Sequence, residues 1–269
     1  MKRILISYVL LILTFSMLFI GGCAKNQEND HSTYIGIISA MDNEIEVLLS
    51  EAKIERTDSI GGVKYHVGTL RGKSVVISRA GIGKIRSASG VTTMLDKYDI
   101  SKVIFTGIAG GVADETDVLD EVIATSLIEH DYGKLTNEGF EWLSGDPGFS
   151  DKPGEYYVCD PDLVDLAYES AVKVLGENFV HKGVIATGDQ FIASEDYVNM
   201  LKNDYNAYAC EMEGAAIAVV CQKYNKPFVV IRALSDKADG KANEYYENFG
   251  DIASDNSSHI VLKMLETMQ

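Results

Sequence analysis

The residues of this 269-residue chain that could do chemistry are acids set beside apolar runs. Cys210-Glu211-Met212-Glu213-Gly214-Ala215-Ala216 places two carboxylates two residues apart, directly before an Ala/Val-rich segment of helical character. An acid at that place normally caps the helix start, but two acids at that spacing cannot both do so. One of them is therefore free to accept hydrogen bonds from a diol such as a ribose. Arg232-Ala233-Leu234-Ser235-Asp236 ends the last apolar run. An Asp there, with Ser next to it, can be held in place and kept protonated by its surroundings. A protonated carboxyl can donate to a purine ring nitrogen and so make the base a leaving group. The plainer reading of the same stretch is a strand-end turn with a surface salt bridge.

Two further stretches are weaker. Ala40-Met41-Asp42-Asn43-Glu44 follows the first apolar run, and by itself reads as a helix start whose acids suit the dipole. Thr106-Gly107-Ile108-Ala109-Gly110-Gly111 allows a backbone turn and the close approach of a flat ligand. Neither this run nor Gly81-Ile82-Gly83-Lys84 has the spacing of a Walker loop or a dinucleotide fingerprint.

The elements that must position these residues follow from periodicity. Apolar runs predict strands over Tyr34 to Ile38, Lys102 to Thr106, Glu121 to Ile128, Lys182 to Thr187 and Pro227 to Ala233. Lys64 to Leu70 and Ser74 to Ala80 read as strands around the turn Arg71-Gly72-Lys73. Helical spacing covers Met41 to Glu51, a segment from Gly81 to about Tyr98, Met212 to Tyr224 and Asn256 to Met268. Asp160 with Pro161 behind it signals an N-cap and a helix to about Gly176. Strands apolar on both sides, alternating with helices, predict one α/β domain from about residue 33 with helices on both faces of its sheet. Ligands in such a sheet bind at strand carboxyl ends, where the four stretches lie. Residues 131–159 form a long connection without clear periodicity, of a kind often placed over a site.

The composition, 46% hydrophobic and 24% charged with 4 Pro, argues against disorder over most of the length. A net charge of −16 without a Lys/Arg cluster excludes a general nucleic-acid binder. Lys2 and Arg3 precede the apolar run Ile4 to Ile20, which is followed by Gly21, Gly22 and Cys23, the pattern of a secretory signal. Ile20-Gly21-Gly22-Cys23 resembles the bacterial lipobox, whose Cys is acylated. The expected organisation is a lipoprotein signal peptide over residues 1–22, a tether over 23–32 and an enzyme domain over 33–269, in an exported, membrane-anchored protein. Cys159, Cys210 and Cys221 have neither CxxC spacing nor a nearby His pair, so buried free thiols are expected and no metal site.

Together the four stretches resemble the 5′-methylthioadenosine/S-adenosylhomocysteine nucleosidase family of the nucleoside phosphorylase superfamily. The resemblance runs from about Tyr34 to the C-terminus. It is carried by IGIISAMDNEIEVL, SRAGIGKIRSA, FTGIAGGV, ATGDQFIA, ACEMEGAAIAVVC and PFVVIRALSDKAD. It implies a three-layer α/β/α fold with a central mixed sheet, hydrolysis of the N-glycosidic bond, no cofactor, and a homodimer whose partner closes the 5′ end of the pocket. By the same resemblance Asp236 protonates adenine at N7, and Ser235 holds Asp236. Glu44 polarises the attacking water with help from Arg232. Glu213 binds the ribose hydroxyls, with Met212 beneath the sugar, while Ala109 and Gly110 line the base and ribose region. Phe191 stacks on adenine and the backbone of Ile192 reads its edge. Ile82 and Tyr246 contact the 5′ substituent, and Glu211 packs or pairs beside the site. Ile108 departs from the Ser common at its place in the family, and the lipobox departs from relatives that are mostly cytoplasmic. The absence of Arg between Arg86 and Arg232 favours water over phosphate as nucleophile. The alternatives are a purine nucleoside phosphorylase, a nucleosidase for another 6-aminopurine nucleoside, and a nucleoside-binding lipoprotein.

Overall fold

The computed structural model describes residues 33–143 and 156–268. The expected signal peptide, the tether and Cys23 lie outside these residues. The described chain runs β1 (Tyr34–Ser39), α1 (Asn43–Glu51), β2 (Lys53–Ile60), β3 (Val63–Leu70), β4 (Lys73–Arg79), α2 (Lys84–Lys97), β5 (Ile100–Gly111) and β6 (Glu121–Glu129). The short strands β7 (Gly133–Thr136), β8 (Gly139–Trp142) and β9 (Tyr157–Val158) come next, then α3 (Pro161–Leu175), β10 (Val180–Thr187), α4 (Glu195–Tyr205), β11 (Ala207–Glu211), α5 (Gly214–Lys223), β12 (Phe228–Asp236) and α6 (Ala242–Thr267).

The main sheet has the order β11-β10-β6-β12-β5-β1-β4-β3-β2, with β9 beside β6. It is mixed: β1 runs parallel to β4 and β5, and β12 is parallel to β5 but antiparallel to β6. β11 also pairs with the end of β5, Cys210 opposite Gly110, so β5, β12, β6, β10 and β11 close on themselves. Helices α1, α3 and α6 pack together on one face, and α2 and α5 together on the other. This is the three-layer α/β/α arrangement expected. The core is built by strand side chains that pack on both faces, among them Ile37, Phe105, Ile123, Val229 and Ile231.

Local chemistry sets several boundaries as expected. Asp160 accepts a hydrogen bond from the Leu163 N–H at 3.0 Å, with Pro161 at the first helical position. Other boundaries differ. β5 and β12 extend five and three residues beyond their predicted ends, so Gly107–Gly111 and Leu234–Asp236 are strand and not loop. The added length is held by pairing between β5 and β12 and by β11 crossing the end of β5. β2 escapes periodicity because Lys53, Glu55, Arg56 and Asp58 stud it, the usual protection of an edge strand. α4 was not expected and buries only Leu201 and Tyr205. The 131–159 connection contains the hairpin β7–β8 and the short β9. Cys159, Cys210 and Cys221 are buried and free.

The largest difference is α6, predicted from Asn256 and found to begin at Ala242. Its first half carries Gly250 and Ser254, with Ser257 and Ser258 just beyond, and these weaken any apolar stripe. Those small residues are buried because the helix lies close against β5 and β12. Ser257 Oγ lies 2.6 Å from Thr106 Oγ1 and accepts from the Gly107 N–H at 3.3 Å. Ser258 Oγ donates to the Glu44 carbonyl at 2.9 Å. Three buried polar contacts thus tie α6 to the strand and helix that carry site residues. Ser257→Ala leaves the Thr106 hydroxyl and the Gly107 amide short of a partner, and is expected to destabilise the fold by about 1–3 kcal/mol. A urea midpoint unchanged from the parent protein would show that these contacts do not hold the helix.

Candidate active site

The site grows from the carboxyl ends of β1, β5, β11 and β12. Glu44, in the first turn of α1, is buried and folds back on the chain. Its Oε2 accepts from the backbone N–H groups of Ala40 (2.9 Å) and Met41 (2.8 Å), and its Oε1 from that of Ile108 (2.9 Å). Burial pushes its pKa up, against the Arg232 charge and the three amides, which favour the carboxylate.

Asp236 is positioned by a bulge. Leu234 pairs with Ala109 and Asp236 with Gly110, leaving Ser235 as the extra residue that turns the strand end. Ser235 Oγ donates to Asp236 Oδ2 at 2.8 Å, with the Ala109 carbonyl at 3.3 Å as its second acceptor. The Ala238 N–H donates to Oδ1 at 2.7 Å. Burial raises the Asp236 pKa, and these two donors only partly offset it.

The paired acids divide as the sequence suggested. Glu211 takes the helix start: both of its oxygens accept from the Gly214 N–H, at 2.9 and 2.8 Å, and Oε2 also accepts from the Glu213 N–H. Glu213 is released from capping. Its Oε1 accepts from the Gly83 N–H at 2.9 Å, across from the 81–83 turn. Gly83 has φ +95°, a conformation that L side chains rarely adopt, so this contact depends on glycine. Burial, and the Glu211 charge after it, push the Glu213 pKa upward.

Arg232 lies beneath these acids. Its Nη2 donates to Glu211 Oε2 at 2.5 Å and to Glu213 Oε2 at 3.3 Å, and its guanidinium sits 4.0 Å from the Phe105 ring centroid. It is fully buried and does not line the pocket. The expectation that it assists Glu44 is corrected to this extent: it makes no hydrogen bond to Glu44 and acts on it through charge. Gly107 separates the two, and a side chain there would collide with both the guanidinium and the Glu44 carboxylate.

A cavity of ≈ 260 Å³ gathers most of the expected residues: Glu44, Ile82, Ala109, Gly110, Phe191, Met212, Glu213, Ser235, Asp236 and Tyr246. Phe191 is half exposed and meets Tyr246 edge to face, ring centroids 6.3 Å apart. The Tyr246 hydroxyl donates to Met41 Sδ at 3.6 Å. Ile192 does not line this cavity; its side chain packs against the cluster that includes Leu201 and Tyr205. Ala40, Met41, Ile108, Cys210, Glu211 and Asn243 also line the cavity. Asn243 escaped sequence reasoning because the first half of α6 lacks an apolar stripe. Met41 and Cys210 were within motifs already singled out, next to the acids. No Lys or Arg lines the cavity among the described residues.

A half-open apolar slot with a protonatable acid on one strand end and a carboxylate at a helix start defines an enzyme of the α/β phosphorylase type, and residues 34–266 match the phosphorylase superfamily. A 5′-methylthioadenosine/S-adenosylhomocysteine nucleosidase from Bacillus cereus (strain G9842) is 37% identical over 236 residues, 87% of this chain and 99% of that protein. The crystal structure of the nucleosidase of that name from Neisseria meningitidis, in complex with methylthio-immucillin-A, superposes with a TM-score of 0.79 at 32% identity, over 88% of this chain and 100% of the other. Futalosine hydrolase of Helicobacter pylori superposes with a TM-score of 0.78 at 30% identity, over 88% and 99%. The chain belongs to the 5′-methylthioadenosine/S-adenosylhomocysteine nucleosidase family.

Breaking the pair beneath the site tests its role. Glu211→Gln keeps the shape but removes the charge that neutralises Arg232. It is expected to cost about 3–5 kcal/mol of stability, the penalty for an uncompensated buried charge. Chemical denaturation reads this directly, and a loss below about 1 kcal/mol would mean that Glu213 alone satisfies Arg232.

Proposed function

We propose that this enzyme hydrolyses the N-glycosidic bond of S-adenosylhomocysteine and 5′-methylthioadenosine, with Asp236 as general acid and Glu44 as the group that orients the attacking water. The observation that carries this reading is the shared cavity in which a burial-raised Asp236 and an amide-held Glu44 both present oxygens. Glycosidic cleavage develops positive charge on the sugar and negative charge on the departing base. Asp236, kept protonated to higher pH than an ordinary Asp, supplies the proton at adenine N7. Its Ser235 and Ala238 donors fix the carboxyl plane. Glu44 holds the water with its remaining lone pairs, and with Glu213 offers negative potential to the cationic sugar. Glu213 takes the ribose hydroxyls above Met212, and Phe191 covers the base. Ile82 and Tyr246 meet the 5′ substituent. Water is favoured over phosphate because, among the described residues, the cavity wall carries no Lys or Arg and Arg232 is committed beneath it. Futalosine is a second candidate substrate, on the likeness to the Helicobacter pylori hydrolase.

The protein is an exported lipoprotein acylated at Cys23 and held to the membrane by that anchor, a reading supported by the basic start, the apolar run and Ile20-Gly21-Gly22-Cys23. It acts as a homodimer. The exposed Leu135, Phe140 and Leu143, on and just after the β7–β8 hairpin, support an interface there, as does the open 5′ side of the pocket at Ile82, 45% exposed.

Adenine release from S-adenosylhomocysteine and methylthioadenosine is expected without phosphate, and unchanged when phosphate is added. The same assay with futalosine reads release of its base. Asp236→Asn retains the shape and a donor but no transferable proton, so turnover should fall ~100- to 10,000-fold with little change in substrate binding. The parent rate declines toward alkaline pH as Asp236 gives up its proton, and the residual rate of Asp236→Asn lacks that limb. Retention of more than about a tenth of turnover would remove Asp236 from the acid role.

Cys23→Ser is expected to abolish acylation and to leave the protein with an intact signal or release it in soluble form. The released protein should sediment as a dimer at micromolar concentration. Unchanged membrane attachment would instead indicate an uncleaved helix, and a monomer would overturn the dimer.

A further inference from the structure

Glu213 is held by two pulls. Its Oε1 takes the Gly83 amide at 2.9 Å, while its Oε2 lies 3.3 Å from Arg232 Nη2. The balance between them sets where the carboxylate stands in the cavity wall. Gly83 begins α2 but has no side chain with which to cap it, and the first turn behind it carries no acid. The cap comes from 105 positions away: Asp189 Oδ1 accepts from the Lys84 N–H at 2.9 Å. A carboxylate there also suits the helix dipole. The neighbouring amides of Gly83 and Lys84 thus serve two carboxylates, Glu213 and Asp189.

Asp189 is in turn anchored. Its N–H donates to Asp131 Oδ2 at 2.8 Å, and Asp131 Oδ1 accepts from Lys84 Nζ at 2.6 Å. A ring of contacts therefore closes through the start of α2, the residues after β6 and the residues after β10. Glu129 Oε1 lies 3.3 Å from the same Lys84 Nζ. Partial burial opposes both charges of the Lys84–Asp131 pair, yet each partner keeps the other ionised: the Asp131 pKa is lowered and the Lys84 pKa raised. Lys84, Asp131 and Asp189 are not among the residues that line the nucleoside cavity. The ring reaches the site through the 81–83 turn and through Phe191, two residues beyond Asp189.

We propose that Asp189 is a positioning residue for ribose recognition: it caps α2, aims the Gly83 amide at Glu213, and is locked in place by Asp131 and Lys84. The proposal rests on the nucleosidase reading above, in which Glu213 takes the ribose hydroxyls, and deepens it. Without the Asp189 carboxylate the helix start loses its acceptor and the Gly83 amide its fixed direction. Glu213 then turns to Arg232, the charged and so the stronger of its two partners. Glu44 and Asp236 keep their own contacts.

The test is a double-mutant cycle on kcat/KM for methylthioadenosine, with Asp189→Ala made in the parent enzyme and in Glu213→Ala. Losing the cap should lower kcat/KM about fivefold in the parent, mostly through KM. In Glu213→Ala the same change should have an effect below about twofold, because the carboxylate it positions is gone. Asp189→Asn keeps an acceptor oxygen for the Lys84 amide and should stay within about twofold of the parent. Lys84→Met, which unties Asp131, should lower kcat/KM in the parent and not in Glu213→Ala; it reads the same coupling if Asp189→Ala does not fold. An equal fall in both backgrounds makes Asp189 a general fold contact and overturns the proposal, as does no fall in the parent. A parent enzyme that releases adenine from neither methylthioadenosine nor S-adenosylhomocysteine overturns the nucleosidase reading itself, a separate outcome.

Discussion

The buried guanidinium of Arg232 is the constraint around which the site is arranged. A cation removed from water costs several kcal/mol unless it is paired and hydrogen-bonded. Glu211 supplies the close partner and Glu213 a longer one, while Phe105 presents its ring face. Each of these commitments fixes something else. Glu211 in the same act caps α5, which sets where that helix begins. Glu213 is turned toward the 81–83 loop and the pocket. Gly107 has to be a glycine, because the guanidinium and Glu44 occupy the space a side chain would take.

The two acids proposed for the reaction sit in differently built surroundings. Glu44 accepts from three backbone amides and feels the Arg232 charge, all of which favour the ionised form against burial. Asp236 has one hydroxyl and one amide, and no close guanidinium; burial raises its pKa as it does that of Glu44, so its neutral form persists to higher pH than that of an ordinary Asp.

Small hydroxyl side chains complete the frame. Ser257 and Ser258 bring α6 against Thr106, Gly107 and the Glu44 carbonyl, adding buried polar contacts to the core packing of its Ile260, Val261, Leu262, Met264 and Leu265. The same helix delivers Asn243 and Tyr246 to the pocket wall. Packing on one face of the sheet and the shape of the substrate slot are therefore coupled through a few hydrogen bonds.

By itself the sequence determined the α/β class, the cap at Asp160, the run of buried strands and the stretches from which the site is assembled. These are local matters: apolar periodicity records which face of a segment is buried, and a capping residue acts within its own first turn. It also implied that only one of Glu211 and Glu213 could cap, and left open which. Only the tertiary structure decided that Glu211 does, because the choice turns on Arg232, 21 positions away. It likewise decided that β5 and β12 run on into the site, that Ser235 bulges to aim Asp236, that Ile192 stays out of the cavity lining, and that α6 begins at Ala242. Each of these depends on polar groups or strand edges meeting across long separations, such as Glu44 with Ile108 or Thr106 with Ser257. A hydrogen bond between distant residues leaves no period along the chain, so it becomes legible only once the fold has brought its two ends together.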